Sequence, residues 1–571
     1  MAVLTNAVPD ITQFNITPID ALASDQTVLG YYVNSTAAIN IEDNPLETDN
    51  EAVLAKIRSI ADYLIASPEP QIVISIHGYG TQRSDAEKRY QKIYRHAVQI
   101  CQPQTSVFLG YLWPSEKPTG DRSAPTGDRA TADNSFGTKI KDAFTALPIL
   151  LSGLFWGGLV ASLAIAILLI TTDDFNGLLT PLLIGSVVVS SGLLTLILLR
   201  LSTYFRDNYR ATNYGVLDLV ELIRQIDQAV SEKLALQEPL SEAKRIKLSF
   251  LGHSMGCFIV TNTIRILSDV FDTGSINQNP PAEIGRVFRL ERLILVAPDI
   301  PAESIMPRRS NFLRSSLRRC KEAYVFSNEG DMALRLASTA ANYFSFPARK
   351  RSSGYRLGNV TVKHFNSQAD HRNYSLQDQN YGIVNRKSGI PKSPFQYLEV
   401  RASDREHHTL EELRGNKVLT EHLTEAPNVN IVADLFTYFD CTDYVDFQDN
   451  LKGSEQPEQP HGVVSFALRK AALNLIDYAR LNISYFKQSL GFGGVNVHGG
   501  YFNGVWSQQV MYGLAFVGFQ RFLAILPEAA SSDRSTKALE HKLDIFSTVC
   551  QQKGIQVVLA PIRYEKDVKD A

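Results

Sequence analysis

The residues best placed to do chemistry are Gly252-His253-Ser254-Met255-Gly256. Ile246 to Leu251 before them reads as a short strand, and Cys257 to Phe271 after them as a helix. Strand, Gly-x-Ser-x-Gly and helix in that order form a nucleophile elbow, a strained turn that lifts a serine Oγ off the end of a sheet. Side chains at Gly252 and Gly256 would clash in so sharp a bend, and the helix behind Ser254 points the positive end of its dipole at the reacting centre. Cys257, a small apolar residue opening that helix, reads as packing rather than chemistry.

A serine hydroxyl needs a base, and the base needs an orienting acid. In an elbow of this kind the chain order is Ser, then Asp or Glu, then His. Leu293 to Val296 and Ala323 to Phe326 are the next strands. The acid position follows the second of them, which favours Asp331, with Asp299 and Glu329 as alternatives. The competing reading of Asp331 is the cap of a helix starting at Met332. Of the 11 histidines, His498 has the most suitable setting, since strand-like Val495 to Val497 precedes it and Gly499-Gly500-Tyr501-Phe502 follows. His461, in Gln459-Pro460-His461-Gly462, is the second choice. The negative charge developing on a substrate carbonyl calls for two backbone N–H donors. Met255 supplies one, and the turn at His77-Gly78-Tyr79-Gly80 supplies the other from Tyr79.

These residues need a rigid frame. Ile72 to Ile76 reads as a strand buried on both faces, Val107 to Leu112 as the next strand, and Asn213 to Leu234 as an amphipathic helix. Strands alternating with helices imply an α/β fold with a mostly parallel sheet. His77-Gly78, Trp113-Pro114-Ser115, Gly252 to Gly256, Pro298-Asp299, Asp331-Met332-Ala333-Leu334 and His498-Gly499-Gly500-Tyr501-Phe502 together resemble bacterial α/β hydrolases described as a domain of unknown function. The resemblance covers roughly Ile72 to Ser115 and Asn213 to Ala340, with patches near Asp440 and His498. It implies an α/β-hydrolase sheet flanked by helices and the triad Ser254, Asp331, His498. It fixes no substrate.

Two features depart from that pattern. Leu147 to Ile170 and Leu178 to Leu199 contain no charged residue, and each is long enough to cross a hydrocarbon core of about 30 Å. Lys139, Lys141, Arg200, Arg206 and Arg210 flank this pair, while the loop between carries only Asp173 and Asp174. A transmembrane helical hairpin with both flanks on the cytoplasmic side is therefore expected. Gly153, Gly157 and Ala161 on one helix, and Ser186 and Ser190 on the other, provide small-residue faces for packing within the hairpin or in a homo-oligomer. The second departure is a long stretch between acid and base, expected to be an insertion that forms a lid or cap.

The expected organisation is a first hydrolase segment at 1–114, a flexible polar linker at 115–146, the hairpin at 147–200 and a second hydrolase segment at 201–344. An insertion at 345–491 and a C-terminal hydrolase segment at 492–571 complete it. The net charge of −2 and the lack of a basic stripe argue against nucleic-acid binding. Five scattered cysteines form no paired motif, which fits a reducing compartment. Met1 to Asp20 lacks the basic and apolar runs of a secretory signal. No metal constellation is visible, and triad chemistry needs no cofactor. The reading is an integral-membrane serine hydrolase, an esterase or lipase acting on acyl esters beside the lipid bilayer. The alternative is a non-catalytic membrane scaffold built on the same fold.

Overall fold

The computed structural model describes residues 13–19, 28–37, 49–102, 105–115, 201–268, 281–306, 316–338, 355–363, 381–386, 389–403, 406–410, 432–447, 460–468, 473–489, 494–526 and 538–570, with isolated positions between 163 and 187. They fall into two compact units, one of residues 1–78, 84–114 and 211–571, the other of residues 79–83 and 115–210.

The larger unit is built around an 11-stranded sheet, with a three-stranded sheet and a two-stranded one besides, among the described residues. Its strands are β1 (Phe14–Pro18), β2 (Val28–Ser35), β3 (Gln71–Ile76), β4 (Ser106–Leu112), β5 (Ile246–His253), β6 (Glu283–Ile284), β7 (Phe288–Val296) and β8 (Glu322–Ser327). Further along the chain come β9 (Thr361–Val362), β10 (Gly382–Ile383), β11 (Leu398–Ser403), β12 (Glu406–Thr409), β13 (Phe436–Asp440), β14 (Val445–Asp446), β15 (His461–Gly462) and β16 (Gln556–Val558). The main sheet runs β1-β2-β4-β3-β5-β7-β8-β13-β16-β10, with β6 paired to β7, and the smaller sheets are β12-β11-β9 and β14-β15. From β2 to β13 every neighbour is parallel. β1 and β16 join antiparallel at either side. Every residue of β3 and β4 is buried, as parallel strands covered on both faces require.

The helices used below are α1 (Asn50–Ala66), α2 (Arg83–Ile100), α3 (Val216–Lys233), α4 (Met255–Leu267), α5 (Leu475–Ser489), α6 (Val505–Phe516), α7 (Phe519–Ile525) and α8 (Ala538–Gln552). Tyr90, Ile93 and Tyr94 of α2, Met511 and Leu514 of α6, Phe522 of α7 and Phe546 of α8 share one apolar core with Val73, Phe108, Leu251 and Ile294 of the sheet. α1, α3 and α4 lie outside that core and pack on one another, covering the opposite face.

α3 carries a buried acid. Asp218 is 4% exposed and accepts a short hydrogen bond from Ser35 Oγ of β2. Burial raises its pKa to about 7. A folded-state value above the unfolded one gives stability that is full below about pH 4 and is lost as pH rises through about 7. Asp218→Asn, which cannot ionise, is expected to flatten this decline. Thermal melts at pH 5 and pH 8 should show the variant's advantage over wild type growing with pH.

Three expectations change. Within 345–491, β13 occupies an interior position of the main sheet between β8 and β16, and β10 forms its edge, so this stretch completes the sheet as well as interrupting it. Val495 to Val497 is not a strand: the turn begins at Val497, whose N donates to Val495 O at 3.1 Å, and Val495 N donates to Ser484 Oγ at 2.8 Å. α4 ends at Leu267, short of Phe271.

In the smaller unit, buried Asp207 accepts from Gly80 N at 2.8 Å and from Ser115 Oγ at 2.9 Å, which gives the serine of Trp-Pro-Ser a structural partner. Apart from Ser115, the expected linker at 115–146 lies outside the described residues, as do nearly all of the two apolar runs. Among the described residues no helix is long and apolar enough to cross a membrane.

Candidate active site

The turn from β5 into α4 is strained at one residue. Ser254 has φ 55° and ψ −121°, a positive φ that costs a non-glycine residue about 1–3 kcal/mol. The surroundings enforce it. Ser254 N donates to Val296 O at 2.9 Å, and Ser254 O accepts from Cys257 N at 3.0 Å and Asp299 N at 3.2 Å. Oγ is buried and makes no hydrogen bond among the described residues.

The elbow glycines are not equivalent. A Cβ at Gly256 would stand 2.5 Å from Ile76 O and 2.7 Å from His77 O, backbone atoms that cannot rotate away. At Gly252 the nearest atoms would be 3.0 Å off, on Cys257. Gly256→Ala is therefore expected to cost about 3 kcal/mol, the upper end of the overpacking range, and Gly252→Ala less. Urea denaturation of both variants tests the order. Gly78 falls between them, since its Cβ would lie 2.8 Å from Ser254 Cβ. The His-Gly turn is held by Trp113, whose Nε1 donates to His77 O at 2.9 Å and whose ring stacks on the imidazole. Burial lowers the His77 pKa to about 4, so this histidine is uncharged at neutral pH.

The acid loop follows β8. Asp331 is fully buried and splits its oxygens between two tasks. Oδ1 accepts from Ala333 N at 3.0 Å and Leu334 N at 3.3 Å, and Oδ2 lies 2.7 Å from His498 Nδ1. The cap and the carboxylate partner of the histidine are thus one residue. The alternatives are engaged elsewhere. Asp299 pairs with buried Arg356 at 3.1 Å, and Glu329 accepts from Tyr478 OH at 2.8 Å. His461 is exposed in the two-residue strand β15.

His498 sits on a loop without strand pairing, so side chains hold its main chain. Asn328 Nδ2 reaches Val497 O at 3.0 Å and Val464 O at 2.9 Å. His253 Nε2 lies 3.1 Å from His498 O. Val497 packs with Met332, Leu473, Tyr478 and Leu481, seating α5 beside the acid loop. The structure therefore brings Asp331 and His498 together and sets the His498 main chain against the residue preceding Ser254. Met255 N begins α4 directly after the serine. Tyr79 belongs to the smaller unit.

Sequence reasoning passed over His253, Asn328 and Arg89. His253 lies inside the motif but was read only as spacing. Asn328 stands three residues before the acid. Arg89, on α2, has no local signal at all. Among the described residues no group of three or more His, Cys, Asp or Glu side chains could hold a metal ion.

A mostly parallel sheet between two helical layers, with a strained serine at the end of a central strand, defines an α/β fold that fits an α/β hydrolase. A family model described as alpha/beta hydrolase of unknown function (DUF900) matches residues 219–370, a span that includes Ser254 and Asp331 and ends before His498. This match supports a hydrolase-like function. No curated protein and no solved structure was found to match the chain.

Proposed function

We propose that this protein is a membrane-anchored serine hydrolase that cleaves acyl esters through Ser254, His498 and Asp331. The observation that carries the reading is the 2.7 Å bond between His498 Nδ1 and Asp331 Oδ2, together with a serine held at positive φ whose preceding residue bonds the His498 carbonyl. Asp331 keeps the Nδ1 hydrogen in place and leaves Nε2 as the acceptor. Ser254 Oγ attacks the ester carbonyl carbon while His498 Nε2 takes its proton. The oxyanion receives a hydrogen bond from the Met255 N–H, at the positive end of α4. Collapse expels the alcohol, protonated by His498, and leaves an acyl-Ser254 ester. Water activated by His498 attacks this ester, releasing the carboxylic acid and regenerating the serine.

The membrane part rests on the two charge-free runs and their basic flanks. Leu163 and Ile167, one turn apart in the first run, are helical and exposed at 62% and 56%, as side chains facing lipid would be. In this reading the hairpin holds the catalytic unit on the cytoplasmic side, and the small-residue faces offer a route to homo-oligomers. A lipid or other acyl ester at the bilayer surface is the substrate that location favours. α5 adds support, because Ile476 and Ile483 are exposed at 67% and 57% on a helix whose buried residues pack beside the acid loop.

The test is labelling of the detergent-solubilised full chain by a fluorophosphonate, beside Ser254→Ala, together with carbonate extraction of membranes from expressing cells. Labelling confined to the wild type, and retention in the carbonate pellet, are the expected results. A folded wild type that stays unlabelled with and without added lipid would leave the scaffold reading, and release by carbonate would remove the anchor.

A further inference from the structure

The residue between Gly252 and Ser254 has a second partner on its other ring nitrogen. Arg89 Nη1 lies 3.2 Å from His253 Nδ1. A guanidinium only donates, so Nδ1 must accept, and the hydrogen of the ring is on Nε2. That hydrogen is then directed at His498 O, 3.1 Å away. Burial first, then Arg89 and His498, push the His253 pKa well below the usual histidine range. The ring centroids of His253 and His498 are 4.9 Å apart, so an uncharged His253 adds no repulsion when His498 takes a proton. The groups facing His253 are Arg89 from α2, His77 from the end of β3 and His498 from the base loop. Phe502 fixes the geometry, with its ring 4.3 Å from Arg89 Cζ and edge-on to His253.

We propose that His253 is a positioning residue for the base: its Nε2–H, with the tautomer set by Arg89, suspends the His498 main chain from the elbow. Asn328 holds the preceding carbonyl from the acid side, so the base is registered to nucleophile and acid by two side-chain bonds where a strand would otherwise do it. The proposal rests on His498 being the base.

Two substitutions separate positioning from packing. In His253→Gln the amide nitrogen reaches about where Nε2 stands, and in His253→Asn it reaches only the Nδ1 position. Steady-state hydrolysis of a soluble p-nitrophenyl ester by the full-length protein reads both. His253→Asn is expected to lower kcat about ten- to a hundredfold with KM within about twofold, and His253→Gln to stay within about threefold of wild type. Arg89→Met, which releases the tautomer and leaves His253 in place, should lower kcat about threefold to tenfold and covers the case in which His253→Asn does not fold. Wild-type kcat in folded His253→Asn, or in Arg89→Met if His253→Asn does not fold, overturns the proposal. An equal loss in the Asn and Gln variants does so too, by reducing His253 to a space-filler. These outcomes leave the serine reading intact, whereas a wild type that neither hydrolyses the ester nor reacts with a fluorophosphonate removes both.

Discussion

Ser254→Ala is expected to lower ester hydrolysis by about 10⁴- to 10⁶-fold while leaving the fold unchanged. The activity loss follows from the chemistry: without Oγ no acyl-enzyme can form, and what remains is binding and oxyanion stabilisation of a direct attack by water. The preserved fold follows from the structure. Ser254 Oγ is buried without a hydrogen bond among the described residues, so its removal orphans no protein donor or acceptor. The positive φ stays as it is for alanine, because the backbone bonds to Val296 O, Cys257 N and Asp299 N do not involve the side chain. Turnover of a p-nitrophenyl ester and a thermal melt on the same preparation check both halves. Residual turnover above about one hundredth of wild type would place the nucleophile elsewhere.

Asp331→Asn is expected to cost about 10⁴-fold in kcat with little change in KM, and in addition about 1–3 kcal/mol of stability. Both carboxylate oxygens are committed as acceptors, Oδ1 to Ala333 N and Leu334 N and Oδ2 to His498 Nδ1. An asparagine amide replaces one acceptor by a donor. With its NH2 toward His498, the imidazole must put its hydrogen on Nε2, where it can no longer take the serine proton. With its NH2 toward Ala333 and Leu334, donors face donors at the start of the helical turn. A purely catalytic acid would lose only activity, so the joint loss is the distinguishing result. Rates at saturating substrate and urea midpoints measured together would show it.

Parts of this architecture were legible before any coordinates. The strands β3 and β4 and the C-terminal parts of β5 and β7 are largely apolar runs because a parallel sheet covered on both faces buries nearly every side chain, and such runs show in a linear reading. The elbow was legible because its constraint is local: Gly256 cannot carry a Cβ beside Ile76 O and His77 O, and the strand and helix adjoin it directly. Asp331 was legible through its place after β8, and the cap reading weighed against it describes its other oxygen. By contrast, β13 was absorbed into an expected insertion. Its five residues follow a long interval, and only pairing with β8 and β16 shows where they go.

The amino-acid sequence by itself determined which residues form the nucleophile turn, the sheet that carries it and two charge-free runs long enough to span a bilayer, since each depends on neighbours along the chain. Tertiary structure decided the rest. It set Asp331 against His498 and gave Asp299 and Glu329 other partners, Arg356 and Tyr478. It placed His498 on a loop held by Asn328 and His253 in place of the strand that Val495 to Val497 suggested. It also brought Arg89 to His253 across 164 residues. Hydrogen bonds of that kind leave no periodicity or composition behind, because their partners become neighbours only when the sheet has assembled.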